Sequence, residues 1–408
     1  MSNPDVLGAI TYESEASWGE VVNTYTTHRA PTIGPVDCSG LVHNKSTAEF
    51  TEQYRGAGHT PVLMTMGGSF TTAFDLTGHG ATMVGSPSVD AVETLKALVW
   101  GNVALSASAS TTLTGGTAAV PTTTASGTFS AGGLCRVGAL GDGDGDGQMY
   151  GIATHVTTTL TLLNALRGAP VNGAVLYPVA QFYTSSSPTS VSITGTRFEI
   201  LTANTQYRCH GCWPMSVSFS GLSAGERPRM EVTWGVSWWT DVGTTTFPST
   251  VTSNRYLPSP VAAGSLHVSA VGTATRNELV CRNFSIEYNL GTEPLKGPGG
   301  ANAYQDIVGA VRTGAESCKV KFTVDSSAAG TVTLADWGRS TTNRMIMYTL
   351  STTDASAVGF KFPKVCSTTV PVQIRDGSIN RVTFEGDCYT SDTLTNDLTR
   401  ARMVLGYG

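Results

Sequence analysis

At 408 residues, with 25 Lys and Arg against 30 Asp and Glu, the chain has a net charge of −5 and 13% charged residues, about half the usual share. That weakly acidic balance excludes a dedicated nucleic-acid-binding surface, which shows as a basic patch, but suits a surface past which nucleic acid slides. A hydrophobic content of 40% excludes a disordered chain, and the length predicts two or three domains.

Residues 1–34 lack a basic start followed by an apolar core, so no signal peptide is expected. No run approaches ~18 apolar residues, so no membrane span is expected either. Without an export signal, the eight cysteines are expected as reduced thiols in a bacterial-type cytoplasm.

Strand signals dominate. Val36 to His43 is a strand candidate. Along Thr65 to Leu76, Phe70, Thr72, Phe74 and Leu76 alternate with Ser69, Thr71, Ala73 and Asp75, the mark of a half-buried antiparallel strand. Between them, Asn44 to Pro61 is expected as a long loop. A helix is expected from the N-cap Ser86 and Pro87 through Val89, Val92, Leu95, Leu98 and Val99 to Trp100-Gly101. Ser106 to Gly127, nearly all Ala, Ser, Thr and Gly, is expected as a flexible insertion. Turn residues from Asp241 to Pro258 suggest a boundary. Beyond it, Phe284 to Tyr288 and Lys319 to Asp325 alternate as strands. Asn289 to Ala303 is expected as a second long loop, and Tyr304 to Val311 as a second helix.

The middle and the C-terminal third share a pattern. Arg197 to Leu201, Tyr207 to Val217 and Met230 to Trp234 match Arg344 to Tyr348, Ala357 to Val365 and Arg381 to Glu385 in order and character. Each set reads strand, strand with a late Pro, Gly-containing turn, alternating strand. Two copies of one β unit in one chain would suit an assembly with rotational symmetry.

The chain resembles the tail tube proteins of long-tailed bacteriophages. The features are the acidic, aromatic and Gly-containing opening Ile10 to Glu20, the strand candidates flanking a long loop, and the closing stretch Val358 to Cys388 with Phe362-Pro363-Lys364 and Asp376-Gly377. The resemblance implies a mainly β protein of two fused tube domains, 1–245 (with the hydroxyl-rich insertion) and 246–408. Each would be an antiparallel β-sandwich or half-barrel with a short flanking helix. It implies that chains join into rings around a lumen, three per ring with pseudo-sixfold appearance or six as the alternative. Rings would stack through the two long loops, carrying Lys45, Glu49, Glu52, Arg55, Glu293 and Lys296. The solvated strand faces, with Ser69, Thr71, Asp75, Ser285, Glu287, Lys319, Lys321 and Asp325, would line the lumen. Partners would be further copies and other tail proteins, in a virion assembled in the host cytoplasm, with DNA passing unbound and no membrane or cofactor involved.

Local motifs have plainer explanations beside catalytic ones. Gly221-Leu222-Ser223-Ala224-Gly225 fits a nucleophile elbow, but a strand pattern follows where a helix is needed, so a turn is expected. Cys209-His210-Gly211-Cys212 lacks the second pair of a zinc site and the βαβ setting of a redox motif. Asp142, Asp144 and Asp146 begin a calcium-loop pattern, yet Ala153 stands where a bidentate Glu belongs, and an Asp-Gly hairpin turn explains the same residues. Trp234, Trp238 and Trp239 alternate as core or interface residues would. The expectation is a structural virion protein without catalysis. The rivals are a capsid decoration protein, a secreted sugar-binding or adhesive β-sandwich, and a hydrolase built on Ser223.

Overall fold

The computed structural model describes residues 8–20, 28–32, 34, 36–49, 59–76, 91–125, 128–138, 148–184, 191–201, 206–241, 261–271, 278–297, 307–325, 342–352, 357–369, 372–376, 379–390 and 397–408. They are mainly strand, in keeping with the Thr- and Val-rich alternation.

β1 (Gly8–Ser14) and β2 (His28–Thr32) form an opening hairpin. β3 (Leu41–Glu49), β4 (His59–Asp75), α1 (Ala91–Trp100) and β5 (Asn102–Leu105) follow. Six short strands come next: β6 (Thr111–Gly116), β7 (Pro121–Thr123), β8 (Leu134–Val137), β9 (Gln148–Val156), β10 (Thr159–Leu162) and β11 (Val175–Pro178). The first half closes with β12 (Ala180–Tyr183), β13 (Val191–Ser192), β14 (Thr196–Leu201), β15 (Gln206–Ser220), β16 (Arg229–Val236) and β17 (Trp238–Asp241). The second half opens with β18 (Val261–Ala270), β19 (Glu278–Leu279), β20 (Cys281–Asn289), β21 (Thr292–Lys296), β22 (Ile307–Arg312) and β23 (Ser317–Asp325). It ends with β24 (Arg344–Thr352), β25 (Ala357–Ser367), β26 (Val372–Asp376), β27 (Ile379–Cys388), α2 (Asp397–Arg400) and β28 (Val404–Tyr407).

The pairing order repeats. In the first half it runs β1–β14–β15–β16–β4–β3, with β17 also on β15. In the second half it runs β18–β24–β25–β27–β23–β20, with β28 also on β25. Corresponding strands also come in the same chain order. Each half therefore folds one antiparallel sheet back over another. β15 makes the turn in the first half: its start pairs with β14 and β17, its end with β16. Gly211 sits between these segments with φ +57, where a Cβ would stand 2.6 Å from Ser237 Oγ, so only glycine fits this bend. In the second half the same path is split between β25 and β26.

Superimposing the two registers brings out a shared core. Phe70, Phe198 and Trp234 cluster in the first half, with ring centroids 4.8 to 6.4 Å apart. Phe322, Tyr348 and Phe384 occupy the matching positions in the second, where Phe284 joins them. All seven rings are buried. Strands of both halves share one sheet and one hydrophobic core, since β15 pairs with β20 and β12 with β28.

The hydroxyl-rich stretch is not a loose insertion. Its described part supplies β6 and β7 to a closed barrel in the order β10-β7-β6-β11-β8-β9. Threonine hydroxyls pair across these strands, Thr112 with Thr124 at 3.0 Å and Thr114 with Thr122 at 3.0 Å. The barrel has its own core of Leu113, Val137, Tyr150, Ile152, Leu160 and Leu176. It is inserted between β5 and β12, which pair with Leu105 opposite Ala180. Replacing residues 107–178 with an Asn-Gly turn should therefore leave a folded remainder with native-like circular dichroism. A chain that no longer folds would show the barrel to be integral.

Three further expectations differ from the structure. Asn44 to Pro61 is not a loop throughout: Asn44–Glu49 ends β3 and His59–Pro61 begins β4, paired through Glu49 opposite His59. Pairing satisfies backbone groups that a free loop would leave to water. Asn289 to Ala303 likewise contains β21, which pairs with β22 as an arm. The second helix is absent from the described residues, because Ile307–Arg312 is strand β22 between β21 and β13. Its β-branched Ile307, Val308 and Val311 favour that state. α1 is present, although its expected caps Ser86 and Pro87 lie outside the described residues.

Candidate assembly surface

Eight strands lie side by side across both halves: β3, β4, β16, the end of β15, β20, β23, β27 and β26. Alternation gives this run two faces. Phe70, Phe74, Val217, Val232, Ile286, Val320, Phe322 and Phe384 point into the core. On the opposite face Ser285, Glu287, Lys319 and Lys321 are exposed, while Ser69, Thr71 and Asp75 are half-buried. Asp325 departs from the expectation of a solvated side chain. It is 8% exposed, because Arg282 at 3.0 Å and Arg381 at 3.7 Å enclose its carboxylate.

Charges interleave on this face. Glu287 stands opposite Lys319, and Lys319 opposite Asp387. Lys321 lies 3.9 Å from Glu385, and Arg229 lies 3.6 Å from Glu231. Among the described side chains, the carboxylates of Asp75, Glu231, Glu287, Asp325, Glu385 and Asp387 slightly outnumber the cations of Arg229, Arg282, Lys319, Lys321 and Arg381. Among the described side chains these cations form no continuous basic track for phosphates.

The junction between the halves is the pairing of β15 with β20, Val217 opposite Tyr288 and Ser218 opposite Glu287. By the repeat, β26 corresponds to the end of β15, and β3 to β20. β3 pairs only with β4 and β26 only with β27 among the described residues, so the run ends in two edges that repeat the junction.

Of the expected loop residues, Glu293 and Lys296 are exposed on β21. Lys45 and Glu49 belong to β3, where the backbone alone is described, and Glu52 and Arg55 lie outside the described residues. Asp142, Asp144 and Asp146 also lie outside them. β8 and β9, on either side of them in the chain, pair with each other antiparallel. Ser223 sits in a turn, with the Glu226 N–H donating to its carbonyl at 3.0 Å, and β16 follows directly. Cys209 and Cys212 are buried free thiols. Trp234, Trp238 and Trp239 are buried, Trp238 stacked on His210 at 4.0 Å.

Sequence reasoning missed two polar clusters. In one, Ser265 Oγ lies 2.9 Å from His267 Nε2 and donates to Glu278 at 2.7 Å, while Arg167 of the barrel segment binds the same carboxylate. Ser265 and His267 are each 3% exposed, so the cluster fastens the barrel to the second half. Only the pairing of β18 with β19, which sets His267 opposite Glu278, brings it together.

In the other, each half buries a base at the same position. His210 pairs opposite the first residue of β17, and Lys361 opposite the first residue of β28. Burial lowers His210 from 6.5 to about 4 and Lys361 from 10.5 to about 7. Both folded-state values are depressed, so each base favours folding in its neutral form. The Lys361 contribution is fully present above 10.5 and is lost as pH falls through about 7. Glu15, 3.9 Å from His210, behaves oppositely: burial raises it from 4.5 to about 7, against backbone N–H bonds from Gly211 and Gly19. Its contribution is present below 4.5 and lost as pH rises through about 7. The thermal midpoint should climb from pH 7 up to about 9, above which the buried thiols of Cys135 and Cys281, raised from 9.0 by burial, act in the opposite sense, and Lys361→Met should flatten that climb. An unchanged slope in the variant would assign the titration elsewhere.

Among the described residues no helix is long and apolar enough to cross a membrane, and no His, Cys, Asp and Glu group is arranged to hold a metal. No protein-family model matches the chain, and no curated protein is similar to it.

Proposed function

We propose that this chain is a structural, self-assembling subunit of a phage tail tube, built of two tandem tube domains and without catalysis. The observation that carries the proposal is the repeated strand order, with an internal junction whose two counterparts are open edges. If β26 of one copy pairs with β3 of the next as β15 pairs with β20, copies join head to tail and the rotation closes a ring. Closure removes both edges, which would otherwise invite uncontrolled pairing. Six repeats then need three chains. The mixed-charge face lines the lumen and lets DNA pass with little friction, while the β3–β4 and β21–β22 arms contact neighbouring rings. Other tail proteins cap the tube in the virion.

Deleting Lys45 to Gly58 should leave a folded chain that forms rings but does not elongate, read by negative-stain microscopy. Tubes of normal length would remove the arm from the stacking contact. Globules from the unaltered chain would favour a decoration protein or an adhesive sandwich.

A further inference from the structure

We infer that the cleft at the C-terminal end of α1 binds a small carboxylate ligand that carries a hydrogen-bond donor at its far end. The inference is independent of tube assembly. The cleft has a volume of about 360 Å³, within the range of small-molecule sites. Leu98 and Trp100 of α1 form one wall, Val191 and Ile193 another, and Arg312 and Glu316 supply the charges.

Arg312 is 9% exposed, and its Nη2 donates to the Val99 carbonyl at the end of α1. Its Nη1 is buried and meets no acceptor. A guanidinium presents its N–H groups as a planar fork suited to paired oxygens. With one arm of the fork on the helix, the other is left for an incoming oxygen, and a carboxylate supplies both acceptor and opposite charge. Gly101 ends α1 at φ +79, the left-handed conformation that favours glycine, and packs beside the guanidinium.

Glu316 marks the donor end. Its Oε2 accepts from the Tyr288 and Thr184 hydroxyls, each at 2.8 Å. These bonds hold the carboxylate in place with Oε1 left for a cationic or hydroxyl donor. The lining mixes the apolar Leu98, Val191 and Ile193 with the polar Asn102, Ser192 and Thr194, and the volume admits a short methylene chain. A compact zwitterion matches cation, apolar span and carboxylate in that order.

The test is titration calorimetry of the full chain with 4-aminobutanoate, butanoate and acetate. 4-Aminobutanoate should bind saturably at one site per chain, with butanoate and acetate weaker by about tenfold or more, as loss of one charge-assisted bond implies. Arg312→Gln should abolish binding. Because that change also removes a bond to α1, Ser192→Trp serves as the second variant. It fills the cleft, leaves Arg312 on Val99, and should abolish binding while the thermal midpoint holds. Absence of saturable binding by the unaltered chain, or unchanged binding in the Ser192→Trp protein, would overturn the site.

Discussion

The double variant Val42→Cys with Ile374→Cys should link copies covalently, and the linked product should stop at three chains. The positions follow from the repeat. Ser218 pairs with Glu287 at the internal junction. Ile374 matches Ser218, because Ile374 pairs with Arg381 as Ser218 pairs with Glu231. Val42 matches Glu287, because Val42 pairs with Gly67 as Glu287 pairs with Lys319. Val42 is 43% exposed, so it is available to a second copy. Directly opposed residues on antiparallel strands hold their Cβ atoms about 4.5–5.5 Å apart, close enough for a disulfide after slight adjustment. Under mild oxidation most of the protein should run as a trimer on non-reducing gels. Each single variant should remain monomeric on those gels, and Val42→Cys with Arg375→Cys, one residue out of register, should link poorly. A ladder without preference for the matched pair would mean that the edges do not meet in this way.

Trp234→Ala should markedly destabilise the fold, lowering its unfolding midpoint in denaturant. Trp234 is fully buried, its centroid 4.8 Å from Phe198, and its indole N–H donates to Thr72 Oγ1 at 3.0 Å. Truncating a buried Trp costs about 3–5 kcal/mol, a large share of the roughly 5–15 kcal/mol of a whole domain. The change also leaves the buried Thr72 hydroxyl without its partner. Phe384→Ala, at the matching position of the second half, should cost a similar amount for the same reason. Denaturant unfolding gives the numbers. A loss below about 1 kcal/mol in either variant would contradict the shared aromatic core.

Much of the fold was legible because its strands carry alternation and the alternation recurs. Arg197 to Leu201 and Arg344 to Tyr348 became β14 and β24, and the two later pairs of segments became β15 with β25 and β16 with β27. The period of two also separated Phe70, Phe74 and Phe322 from Glu287, Lys319 and Lys321. It could not reveal Asp325, whose burial depends on Arg282 and Arg381 from two other strands.

The barrel escaped detection because Thr111–Gly116 and Pro121–Thr123 carry little apolar signal of their own. They gain structure from hydroxyl pairs and from strands as distant as Val175–Pro178. Ile307 to Val311 misled because a short β-branched run suits either period, and only pairing with β21 decides it. Arg312 and the Ser265–His267–Glu278 cluster carry no motif at all, since their neighbours come from other elements.

In the proposed assembly the internal junction between β15 and β20 is repeated between copies, so that six repeats in three chains close one ring. A cryo-electron microscopy reconstruction of the purified protein, refined without imposed symmetry, tests it most directly. Threefold rings are expected, in which β26 of each chain pairs with β3 of the next and the face bearing Glu287 and Lys319 turns to the lumen. Six chains per ring, or β3 and β26 left unpaired in the assembled particle, would contradict it.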